Sequence, residues 1–168
     1  MTHRGRQLIR LIPMNDKQLV ETWDIHNRIN TYLLDAVDES MLGSYSASKG
    51  RSVGEQFAHI HNVRLMWLKA AAPELLKGLE KVEKEKAGNS KALRKALVGS
   101  GEAIGILLAQ SAQADGRIKG FKPHAFAFLG YLISHESHHR GQIVLSLKQA
   151  GHQLDKKVLY GIWEWGVR

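Results

Sequence analysis

The sequence predicts an all-α protein, a four-helix bundle. Apolar residues recur at helical spacing in four long segments, capping residues bracket those segments, and no stretch alternates apolar and polar residues as a half-buried strand does. With 168 residues, the chain is expected to form one domain over 1–168 and to bury a core without disulfides. Within it, 1–14 reads as an N-terminal extension and 152–168 as a C-terminal tail.

Residues 15–37 place Leu19, Trp23, Ile25, Ile29, Leu33 and Val37 close to a helical period, with Asn15 or Asp16 as cap. Residues 38–52, rich in serine and carrying Gly43 and Gly50, read as a loop. Ser52 and Glu55 stand at capping-box spacing and open a second helix that buries Val53, Phe57, Ile60, Val63 and Trp67. Pro73 ends this helix or begins a short one. Lys77, Lys81, Lys84 and Lys86 alternate with Glu80, Glu83 and Glu85, the composition of a solvated helix or a linker.

A third helix is expected over 91–114, stopped by Gly116. Gly99-Ser100-Gly101 predicts a kink or break within it, since glycine costs about 1 kcal/mol in a helix interior. Pro123 suits the first turn of a fourth helix that runs to about Ala150, with Gly151 closing it. The tail ends Tyr160-Gly161-Ile162-Trp163-Glu164-Trp165. Trp23, Trp67, Trp163 and Trp165 are expected in the core or at an interface.

Composition removes several function classes. The chain has no cysteine, so it has no disulfide, thiolate ligand or cysteine nucleophile, which fits a reducing cytoplasm as its compartment. Arg4, Arg6 and Arg10 precede no signal-peptide core, and no window approaches the ~18 uncharged apolar residues of a membrane span. Lysine and arginine outnumber acidic residues by 24 to 16, giving +8. That excess would suit nucleic acid, yet no dense basic run with interleaved aromatics is present, and nucleic acid is not the expected partner.

The chemistry is concentrated in His135-Glu136-Ser137-His138-His139-Arg140-Gly141-Gln142. His135 and His139 are i and i+4, so both imidazoles lie on one helical face and can turn toward one point. Phe128, Tyr131, Leu132, His138 and Gln142 share that face, which is expected to look into the bundle or its mouth. A useful metal site needs a third ligand, and Ala58-His59-Ile60-His61 is its best source. His59 and His61 point to nearly opposite faces, so at most one joins, and spacing does not choose between them.

Three histidines and an open position form a catalytic rather than a structural site, suited to zinc, nickel, copper or iron. On zinc a bound water titrates near pH ~7. Arg140 and Gln142 are the candidates for orienting a substrate. His138 reads as solvated, and Glu136, about 100° round the helix from His135, as a surface or helix-pairing carboxylate. His26 and Asn30, one turn apart, are candidates for lining the same cavity. No HExxH motif, phosphate loop or Ser-His-Asp order is present.

These residues resemble the DinB-like family, which includes YfiT-type metal-dependent hydrolases. The resemblance rests on the segment Ser52-Val53-Gly54-Glu55-Gln56-Phe57-Ala58-His59-Ile60, on the HxxxHRGQ signature from His135 to Gln142, and on the tail. It implies a four-helix bundle of DinB/YfiT type, often a homodimer, with a divalent transition metal held by His59, His135 and His139. It also implies a small-molecule substrate, activated water in hydrolases, and a low-molecular-weight thiol in S-transferases. Two other readings are a non-catalytic metal-binding stress or interaction protein and a basic nucleic-acid-associated protein.

Overall fold

The computed structural model describes residues 16–168. Four long helices make the bundle: α1 (Asp16–Asp35), α2 (Val53–Ala71), α3 (Ser90–Gln113) and α4 (Ala125–Gln149). A two-stranded antiparallel ribbon, β1 (Arg117–Ile118) and β2 (Phe121–His124), separates α3 from α4. A short α5 (Lys156–Gly161) follows. The protein is an all-α bundle, and no described helix is long and apolar enough to cross a membrane. The expected extension, 1–14, and the Asn15 cap lie outside the described residues.

Local chemistry sets each helix start. Ser52 Oγ accepts from Glu55 N (3.2 Å) while Glu55 Oε2 accepts from Ser52 N (2.7 Å), the capping box read from the sequence. Asn89 caps α3 through Ala92 N (2.7 Å). α4 begins two residues later than Pro123 suggests. The proline lies in β2, and His124 Nδ1 caps the helix by accepting from Ala127 N (3.2 Å). Gly151 leaves α4 at φ +84°, a left-handed turn that glycine adopts without strain.

The third helix runs unbroken through Gly99-Ser100-Gly101. Packing explains the glycines better than a kink does. A Cβ on Gly101 would overlap the Asn27 side chain of α1, and Trp23 Nε1 donates to the Gly101 carbonyl (2.7 Å). The charged stretch after Pro73 is a linker with one 3-10 turn, not a long helix. It is tied to α2: Asn62 exchanges hydrogen bonds with the Val82 backbone (2.9 and 3.0 Å), and His61 Nε2 meets the Glu80 carbonyl (2.9 Å).

Two apolar clusters fill the bundle. One gathers Leu33, Phe57, Ile60, Leu97, Ile143 and Leu147, and the other Leu19, Trp23, Leu68, Ile104, Phe128 and Leu132. On every long helix a polar residue falls between the two sets: His26 and Asn30, Arg64, Ser100, and Glu136 with Arg140. Glu136 is fully buried and accepts from His26 Nε2 (2.8 Å), Asn30 Nδ2 (2.6 Å), Arg64 Nε (2.8 Å) and Arg64 Nη2 (2.7 Å). Of the two places the sequence allowed it, the surface is excluded. Arg64 reaches on to the Leu97 carbonyl and Asn27 Oδ1 (both 2.9 Å), so one arginine ties α2 to α1, α3 and α4.

Burial by itself would raise the Glu136 pKa. The Arg64 charge, its hydrogen bonds and that of His26 outweigh this and hold the carboxyl well below its usual range. Removing the carboxylate leaves the buried Arg64 guanidinium without its paired anion. Glu136→Ala is expected to cost about 3–5 kcal/mol of unfolding free energy, measured by urea denaturation. Gly101→Ala should cost about 1–3 kcal/mol on the same measurement, because Asn27 must move. A neutral result there would refute the close α1–α3 approach.

Candidate metal centre

His59 projects from the middle of α2, and His135 and His139 from successive turns of α4. The three offer ligand nitrogens that all lie within 4.8 Å of one another. Ring centroids are 5.3 Å apart for His59 and His135, 4.5 Å for His59 and His139, and 4.6 Å for His135 and His139. His139 is buried and the other two half-buried, so the group sits in the seam between α2 and α4, open on one side.

The hydrogen bonds set the tautomers. Gln56 Oε1 accepts from His139 Nδ1 (2.6 Å), which leaves the lone pair of His139 on Nε2. That atom faces His135 Nε2 at 3.2 Å. His135 Nδ1 is then buried without a partner among the described residues. Two ligand nitrogens at tetrahedral angles around a metal lie about 3.3 Å apart for bonds of 2.0–2.1 Å. The observed spacing therefore suits a shared ion, and the group can hold one.

Electrostatics agree. Burial, then Arg51 and His135, lower His59 to about 4. Burial, then His135 and His59, lower His139 to about 3. Burial lowers His135 as well, with His138 and Arg51 adding to the effect and Glu136 opposing it. At neutral pH all three rings are uncharged, the state in which imidazole binds metal.

A model of the DinB family matches residues 13–158. The chain belongs to the DinB family. No curated protein and no solved structure matches it. The family match bears out the resemblance drawn from the sequence, and a three-histidine cluster in a helical bundle fits a metal-binding DinB protein.

The other candidates fall in different places. His61, the rival to His59, is buried against the linker and bonded to Glu80. His138 is exposed, as expected. Gln142 is half-buried on the histidine face and makes no side-chain hydrogen bond among the described residues. Arg140 turns away from the histidines: Nη1 donates to Asn30 Oδ1 (2.7 Å) and Nη2 to Ser137 Oγ (2.7 Å). His26 and Asn30 bond to Glu136 in the polar layer, so they belong to the bundle interior and not to the histidine seam.

Sequence reasoning passed over Gln56. Its one signal was position, three residues before His59 and so on the same face of α2. Gln56→Leu removes the acceptor that fixes the His139 tautomer. It should weaken zinc binding by about 10–100-fold in competition with a chromophoric chelator. Unchanged affinity would show that the bond does not orient the ring.

Proposed function

We propose that this DinB protein is a divalent-metal-dependent enzyme acting on a small molecule. It would use water as a hydrolase or a low-molecular-weight thiol as an S-transferase, with His59, His135 and His139 as the ligands. The observation that carries the reading is the convergence of three neutral imidazoles at a partly open seam. A divalent ion held by three protein ligands supplies Lewis acidity to whatever occupies its open position. Imidazole donors favour zinc or nickel over calcium or magnesium.

The chain's own residues supply the rest. Gln56 keeps His139 in the ligating tautomer. Gln142, on the same helical face, makes no side-chain hydrogen bond among the described residues, which leaves its amide to orient a substrate. Beside His59 opens a cleft of about 330 Å³ lined by Arg51, Glu55, Asn62, Lys81 and Lys84 among others. Two of its cations are paired, Lys84 with Glu55 (3.2 Å) and Lys81 with Glu83 (3.3 Å). Arg51 forms no ion pair among the described residues, which favours an anionic substrate at this mouth. Arg140 is engaged with Asn30 and Ser137, so orientation at the seam falls to Gln142 and Arg51.

Elemental analysis of untagged protein tests the site, with the His135→Ala, His139→Ala double variant alongside. About one equivalent of zinc or nickel, lost in the variant, is the expected outcome. No metal after reconstitution would refute the reading. Turnover of a thiol adduct or ester that survives in the variant lacking all three histidines would refute the mechanism.

A further inference from the structure

The polar layer carries more positive than negative charge. Glu136 is its carboxylate, and Arg64 takes it through two donors. Arg140 is 7% exposed, yet no carboxylate lies within ion-pair distance of it among the described residues. Its acceptors are neutral: Asn30 Oδ1, Ser137 Oγ and, at 3.5 Å, His26 Nδ1. A protonated His26 would only increase the excess. Glu136 attracts Arg140 without touching it and is already gripped by Arg64, so two buried guanidinium groups share one carboxylate, a costly imbalance.

Arg140 lines a cavity of about 650 Å³ between α4 and the C-terminal tail. Ile133, Val144, Leu159, Ile162, Trp163 and Trp165 form most of its wall, and Lys148 is the other charged residue there. The size is that of a small-molecule site, and so is the composition, an apolar lining with a few convergent polar groups. The guanidinium presents a planar fork that matches a carboxylate.

We propose that this cavity binds an amphiphilic carboxylate, a small organic acid with an aliphatic or aromatic body. The body lies among the two tryptophans and the aliphatic wall, and the carboxylate meets Arg140 with Lys148 beside it. This anion supplies the charge that the polar layer lacks. The site is separate from the histidine seam, since Arg140 follows His139 by one residue and so lies about 100° round the helix. It does not depend on the metal reading.

Isothermal titration calorimetry of the full chain with sodium octanoate tests the proposal, octan-1-ol serving as the neutral control. Octanoate should bind saturably and at least about tenfold more tightly than the alcohol, the margin that a hydrogen-bonded charge gives. Arg140→Met is expected to erase that preference, and Trp163→Ala to weaken both ligands alike. Arg140→Met also strips a donor from Asn30. If that variant does not fold, Val144→Glu, which places a like charge in the cavity, should abolish octanoate binding. Equal binding of acid and alcohol would overturn the proposal, as would octanoate binding that survives in Val144→Glu. Trp163 is 74% exposed, so sedimentation equilibrium accompanies the titration. A dimer that Trp163→Ala dissociates, together with no octanoate binding, would make this face a contact between two copies and end the proposal.

Discussion

The bundle is organised around the carboxylate of Glu136. It accepts hydrogen bonds from α1 and α2, and Arg64, which grips it, also reaches α3. Above and below lie the two apolar clusters, which supply most of the burial. Apolar packing tolerates substitution of one aliphatic contact for another, so it specifies position loosely. The polar layer tolerates far less, because sliding one helix by a turn would strand a charge in hydrocarbon. We read this layer as what fixes helix register, with the clusters providing the driving force.

Much of this was legible in the sequence, and the reasons divide by range. Helical periodicity and the Ser52–Glu55 cap are local, so α1 to α4 could be placed from spacing. The β1–β2 ribbon could not. Its longer strand has four residues including a proline, too few for alternation to show. Pro123 is compatible with a strand edge or a helix start, and the chain used the first. The Gly99–Gly101 pair was legible as unusual. What they answer, the Leu79 side chain for Gly99 and the Asn27 side chain of another helix for Gly101, was not.

The site divides in the same way. His135 and His139 belong to one helix, so their convergence follows from the α-helical repeat. The choice between His59 and His61 depends on which α2 face meets α4 and which meets the linker, a tertiary fact. The resemblance to DinB proteins supplied it, and the structure brings His59 to the pair. The burial of Glu136 left a trace that was available. Arg64 stands on the stripe Phe57, Ile60, Leu68, and Glu136 on the stripe Leu129, Leu132, Ile143. Opposite charges on facing apolar stripes are a sign of a buried pair, and average exposure of charged residues obscured it.

Glu136 lies between the two clustered histidines of α4, one residue after His135 and three before His139. Clamped by three neighbouring side chains, it prevents α4 from turning about its own axis. The orientation of the histidine pair is thereby borne by folding, before any ion arrives. Capture of a metal there would require no helix to form or rotate, only small adjustments of the rings, with the scaffold acting as a rigid jig.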